Sequence, residues 1–340
     1  MARSEITIDI GAIRRNGKLL LDALQGAELW AVVKADGYGH GAVAAADGAL
    51  GAGASALCVT TVPEALELRP EFPTARIIVL GPASNREIAL AREARLELVV
   101  GDERPLPDGI PIHLKLDTGM GRYGLGELPP PPIQVVGLMT HLATADSDPA
   151  FAEQQVERFR EATAPYPGYV RHVANSAAAL RMASARFDAA RCGVALYGLS
   201  PFGTNPADDG LEPALLWRSE LAQVKQLRAG DSTGYGRGFV AEEPTWIGIV
   251  PVGYADGFRR GLTGATVRVG GDPCTVVGTI SMDSFAVELH GELPVGSPVT
   301  LLGHGILAED HARLANTINY EIVSGINSRP TRARRVVVDA

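Results

Sequence analysis

The chain is poor in cysteine, in lysine and in positive charge. Only three cysteines occur in 340 residues, Cys58, Cys192 and Cys274, so neither a disulfide framework nor a cysteine-based metal cluster can be read from their spacing. No run approaches the ~18 unbroken apolar residues of a spanning helix, and no basic start leads into a short apolar core. Asp and Glu outnumber Lys and Arg, 39 to 31, for a formal charge of −8. That balance argues against a polyanion partner, because phosphate binding needs cations in excess, and it makes the basic stretch 329–335 a local feature. The expectation is a soluble, reduced, cytoplasmic protein without nucleic-acid or membrane partners and without a metal. With 46% hydrophobic and 21% charged residues, the chain can form one large α/β domain or two ordinary ones.

Lysine is the most informative scarcity. Of 31 basic residues only Lys18, Lys34, Lys115 and Lys225 are lysine, so arginine serves nearly everywhere a surface cation suffices. Lys18 and Lys225 lie in patterns that read as solvated faces. Lys34 and Lys115 end the apolar runs LWAVVK and IPIHLK, where burial opposes a charged amine. Arginine could not replace them in a task that needs a neutral nitrogen.

After a strand-like ITIDI, residues 11–24 read as an amphipathic helix. Eight apolar runs follow, at 29–34, 56–61, 76–80, 96–100, 111–116, 133–139, 169–173 and 189–196, with helical patterns between several of them. Continuous Val/Ile/Leu runs suit parallel strands covered on both sides, and eight units in ~200 residues fit a (β/α)8 TIM-type barrel. Barrel sites lie at strand C-termini, where Lys34, Lys115, His141 and Asn175 fall. Near residue 200 the pattern changes to Pro, Gly and Asp, then to strands without regular helices. The division expected is a barrel over 1–208 and a mainly-β domain over 209–340.

In AVVKADGYGHG, Lys34 emerges from an apolar strand into a loop with three glycines. Such a desolvated amine can titrate far below ~10.4, as condensation with an aldehyde requires. The segment resembles the pyridoxal-phosphate signature of the alanine racemase family. HLKLDTGMGRYG, MTHLATAD, HVANSAA, RCGVALYG, GYGRGF, VPVGYADGF, GTISMDSF and NYEIVSGINSRPTR also look like family blocks, in family order, over essentially the whole chain.

The resemblance implies pyridoxal 5'-phosphate as cofactor, carried by Lys34. Tyr38, Tyr320, the Ser176 hydroxyl and the backbone N–H groups of Ser176, Gly193 and Val194 would hold the phosphate. Asn175 and Ser176 also read as an ordinary helix N-cap. Arg191 would face the pyridine nitrogen, and Arg122 the phenolate oxygen and the substrate carboxylate, with an ion pair to Asp117 as the alternative. Racemisation needs bases on both faces of a planar intermediate. Lys34 would serve one and Tyr235, helped by His141 beside Arg191, the other, reaching the cofactor from a second subunit in a homodimer with composite sites. Met282 and Asp283 look like the carboxylate-binding turn, and Tyr254 with Asp256 like a gate that, with Tyr320, favours a methyl side chain. Lys115 matches a position often carbamylated in the family, its alternative being a plain ion pair.

The implied reaction is interconversion of L- and D-alanine, supplying D-alanine for peptidoglycan. A racemase of broader specificity, turning over serine or others, and a non-catalytic carrier made of the barrel alone are the competing readings. Three departures stand out. Gly37 replaces a common alanine, which should loosen the loop, and Thr279 and Ser281 replace an arginine and a cysteine.

Overall fold

The structure, a computed structural model, describes residues 3–340 in two compact units. One unit spans residues 10–212 and is a closed parallel barrel. Its strands, in both chain and spatial order, follow β1 (Ser4–Asp9), which lies outside it. They are β2 (Glu28–Val32), β3 (Ala56–Val59), β4 (Ile77–Val79), β5 (Glu97–Val100), β6 (Ile112–Lys115), β7 (Val135–Met139), β8 (Val170–His172) and β9 (Ala189–Cys192), with β2 closing on β9. All eight coincide with the apolar runs of the sequence.

Several crossover helices have a local cause. Thr61 and Glu64 form a capping box at the start of helix Val62–Leu68, and Ser84 and Glu87 do the same for Asn85–Glu93. Asp148 caps Pro149–Thr163. No helix forms between β5 and β6 or between β6 and β7. The second of these connections is occupied by the DTGMG loop, where the Asp117 carboxylate accepts from the backbone of Gly119, Met120 and Gly121.

Barrel interiors are normally filled by layers of branched apolar side chains. Here Trp30, Val32, Cys58, Ile78, Val99 and Met139 form such a core, but the interior also buries Lys115, His113, His172 and Arg191. Burying so many polar groups disfavours folding unless each is partnered.

The other unit comprises residues 1–9 and 213–340, of which residues 3–9 and 213–340 are described. Its strands are β10 (Leu215–Glu220), β11 (Gln223–Leu227), β12 (Ser232–Thr233), β13 (Phe239–Val240), β14 (Thr245–Val250), β15 (Thr266–Val269), β16 (Asp272–Val277), β17 (Phe285–Leu289), β18 (Pro298–Leu302) and β19 (Ala333–Val338). A nine-stranded sheet runs β11-β14-β17-β16-β15-β18-β10-β1-β19, and β12 and β13 pair separately. The boundary read from sequence placed the first strand with the barrel. Instead β1 lies between β10, antiparallel, and β19, parallel. Its alternating burial needs a sheet with one covered face, which the closed barrel does not offer. Among the described residues no helix is long and apolar enough to cross a membrane.

Candidate active site

Lys34 follows β2 and opens a single left-handed turn, Lys34–Tyr38. Ala35, Asp36, Gly37 and Tyr38 have φ of 53°, 52°, 61° and 53°, a conformation that costs an ordinary residue ~1–2 kcal/mol. The turn is held from outside. Glu64 Oε1 accepts from Ala35 N at 2.8 Å, Asp36 Oδ1 from Ala42 N at 2.9 Å, and the Asp36 carbonyl from Gly41 N at 2.7 Å. Gly37 fits the backbone of this loop. It takes the left-handed φ without a steric cost, and a Cβ there would sit 3.0 Å from Ala45 Cβ. Burial, then the Arg122 guanidinium, lower the half-buried Lys34 amine from its usual range, with Glu64 opposing.

Lys115, the last residue of β6, is buried with its Nζ 5.2 Å from the centre of the Tyr123 ring. Burial and the cations Arg122 and Arg191 bring its pKa down to about 8, Asp117 opposing. Among the described residues it has no ion-pair partner, so the plain ion pair is absent. Arg122 is exposed and makes no ion pair with Asp117, whose carboxylate is spent on the DTGMG backbone.

Arg191 is buried on β9 and heavily bonded. Its Nη1 donates to His172 Nδ1 at 2.8 Å and to the His172 carbonyl at 2.7 Å, and Nη2 to the carbonyls of Thr140 (2.8 Å) and Val173 (3.2 Å). His141 Nδ1 lies 3.5 Å from Nη2. Burial and the surrounding cations push the His141 pKa down to about 3, so it is a neutral hydrogen-bonding group and not a cation.

Beside these lies a backbone cradle. Ser176 Oγ accepts from Gly193 N at 3.1 Å and Ala195 N at 3.4 Å, and Val194 opens the 3-10 turn Val194–Tyr197. A Cβ on Gly193 would lie 2.5 Å from the Tyr38 hydroxyl, so only glycine allows backbone and phenol to approach this closely. Asn175 accepts from Ala178 N at 3.0 Å, the ordinary cap of helix Ser176–Arg181.

The remaining sequence candidates belong to the other unit. Tyr235 is 73% exposed in the turn Tyr235–Arg237 between β12 and β13, not on a strand edge. Thr279 Oγ1 donates to its carbonyl at 2.9 Å, which gives that departure a structural role. Tyr254 and Met282 are exposed, on turns joined by the backbone bond from Ala255 N to the Met282 carbonyl. The Asp283 carboxylate is paired to Arg332 at 2.6 Å and Arg3 at 3.3 Å. Buried Asp256 takes a hydrogen bond from Gly253 N. Tyr320 is half-buried on helix Asn319–Ser324.

Sequence reasoning missed Glu64 and Tyr197, whose hydroxyl donates to the Val32 carbonyl under the Lys34 turn. It also assigned no part to Glu97, His113 and His172. Strand parity was the available signal: His113 is two residues from Lys115, hence on the same inward face.

Similarity to known proteins places the chain in a family. The family model described as "Alanine racemase, N-terminal domain" matches residues 8–201, and "Alanine racemase, C-terminal domain" matches 214–334. A protein of Pediococcus pentosaceus named alanine racemase is 39% identical, covering 97% of this chain and 96% of its own length. Alanine racemase 1 of Bacillus subtilis is also 39% identical, with 96% and 91% covered. The crystal structure of alanine racemase from Streptomyces lavendulae superposes with a TM-score of 0.92 at 35% identity, over 100% of this chain and 98% of that one. This chain belongs to the alanine racemase family.

Proposed function

We propose that the protein interconverts L- and D-alanine in the cytoplasm with pyridoxal 5'-phosphate, as a homodimer. The observation that carries this reading is the cluster at the barrel's strand ends. Two amines, Lys34 and Lys115, are shifted toward neutrality there beside the buried guanidinium of Arg191.

The donor set fits the cofactor. The Gly193 cradle, with Ser176, Val194 N–H and the Tyr38 hydroxyl, suits a phosphate, with Asn175 keeping that helix start in place and Tyr320 a further candidate. Arg191, which donates but does not deprotonate, would hold the ring nitrogen without handing it a proton. Arg122 would meet the phenolate oxygen and the substrate carboxylate, the latter with the Met282 backbone and the Asp283 turn. When bound, the cofactor supplies an electron sink that makes the substrate's Cα–H acidic.

The chain's own task is to move protons at that carbon. Lys34 Nζ, kept from full charge by burial, takes or returns the proton on one face. Tyr235 Oη of the partner subunit does so on the other, and its exposure on a single chain supports a role completed by a second copy. His141 can aid that phenol by hydrogen bonding only, being neutral. Lys115, nearly neutral among cations, is suited to add CO2 and release a proton, giving a carbamate that braces Arg122. Tyr254 would narrow the entrance. The match over 214–334 counts against a carrier made of the barrel alone.

The test combines absorbance of bound cofactor, abolished in Lys34→Ala, with circular dichroism on a panel of single-enantiomer amino acids. Alanine should racemise fastest. In Tyr235→Phe, exchange of the α-hydrogen with D2O should persist for one enantiomer only. Equal loss for both would overturn the two-face assignment, and equal rates for serine would favour the broader racemase.

A further inference from the structure

Inside the barrel a line of hydrogen bonds joins Arg191 to a carboxylate on the opposite side of the core. Arg191 Nη1 lies 2.8 Å from His172 Nδ1, His172 Nε2 lies 2.9 Å from His113 Nδ1, and His113 Nε2 lies 2.7 Å from Glu97 Oε2. Both histidines are fully buried. Arg76 grips Glu97 through two bonds, Nε to Oε1 at 2.6 Å and Nη2 to Oε2 at 2.9 Å, and lies over the Trp30 ring. That ring in turn packs 4.5 Å from His172. The space is made to measure, since a Cβ on Gly137 would fall 2.2 Å from His113 Nδ1.

The two ends leave the middle no choice. A guanidinium only donates and an ionised carboxylate only accepts. Burial opposes ionisation of Glu97, but bonds from His113 and Arg76 outweigh it and hold its pKa at about 2. Burial lowers both histidines, His172 well below its usual value, so each is neutral with one proton. Each must accept on the Arg191 side and donate on the Glu97 side, which puts the proton on Nε2 in both. Were the direction reversed, His172 Nδ1–H would face Arg191 Nη1–H, donor against donor. With the Nη hydrogens spent on His172, Thr140 and Val173, the guanidinium's remaining donor is Nε–H.

We propose that Glu97 is a positioning residue for Arg191. Acting through His113 and His172, it anchors the far end of the line, fixes the guanidinium's rotation and reserves Nε–H for the cofactor. This rests on the reading of Arg191 as the partner of the ring nitrogen. An apolar barrel centre would cost less to bury, so the polar line is retained for what it positions.

The test is 15N NMR of histidine-labelled holoenzyme, whose seven histidines give a sparse spectrum. In the wild type, His113 and His172 should both be neutral with the proton on Nε2. In Glu97→Leu, Arg191 still holds His172 in that tautomer, but His113 loses the acceptor of its Nε2–H, so the 15N shifts of His172, which Glu97 does not touch, should move as its bond from Arg191 loosens. The absorbance band of the bound cofactor should then shift and kcat fall roughly 10-fold, with KM nearly unchanged. A proton on Nδ1 of either histidine in the wild type overturns the proposal without any variant. So do His172 15N shifts that stay unmoved in Glu97→Leu. A wild type that binds no pyridoxal phosphate would overturn the activity reading instead, and the His172 shifts in Glu97→Leu, measurable without cofactor, would still decide the role of Glu97.

Discussion

Replacing Lys115 with methionine should make the protein more stable at neutral pH. The side chain keeps its length and loses an amine that is buried among the cations Arg122 and Arg191. A fall from the usual 10.5 to about 8 corresponds, at ~1.36 kcal/mol per tenfold, to a penalty on the order of 3 kcal/mol. Below pH 8 folded and unfolded chains both carry the proton, and the penalty is full. Between about 8 and 10.5 the folded amine is neutral while the unfolded one still binds its proton, so wild-type stability rises with pH. Above that range both are neutral and the penalty is gone. Urea unfolding at fixed protein concentration, in CO2-free buffer, should therefore show Lys115→Met ahead by roughly 2 to 3 kcal/mol at pH 7 and level with the wild type above pH 10.5. Added bicarbonate should shrink the gap at pH 8 by converting the wild-type amine into a carbamate. A variant less stable at pH 7, with a deficit that does not change with pH, would show that the amine is not held against its charge.

Three further outcomes follow from the same geometry. Gly193→Ala should displace the Tyr38 phenol, the far end of a side chain and not backbone, so stability should change little. Cofactor affinity should fall about 10- to 100-fold, the worth of one charge-assisted hydrogen bond; an absorbance titration with an unchanged Kd would refute the cradle. Glu64→Gln removes a carboxylate that favours the charged Lys34 amine. The pH midpoint for modification of Lys34 by an amine-selective reagent should move down, and an upward move would contradict the stated balance. Asp117→Ala strips the acceptor from three backbone N–H groups of the DTGMG loop, at ~1–3 kcal/mol. Hydrogen exchange should lose protection at Gly119, Met120 and Gly121 and leave the barrel strands unchanged.

The barrel strands were legible because each is a short apolar run, and the scarcity of lysine singled out Lys34 and Lys115, both of which the fold places at strand ends with depressed amines. Order along the chain said nothing about β1, because a strand's pattern shows that one face is buried but not which sheet buries it. The alternative of Asp117 as an ion-pair partner for Arg122 is not realised, since a carboxylate two residues before a glycine-rich turn finds backbone donors nearer than a side chain.

What the amino-acid order determined by itself was local: which segments are strands, where helices are capped, and which lysines sit where charge is disfavoured. What tertiary structure alone decided was partnership. Glu97, His113, His172 and Arg191 come from β5, β6, β8 and β9, and closure of the barrel brings their inward faces within hydrogen-bond reach. The left-handed turn of Lys34 is likewise held by Glu64, thirty residues on. Such contacts depend on registers between strands, and a register is a property of the packed whole.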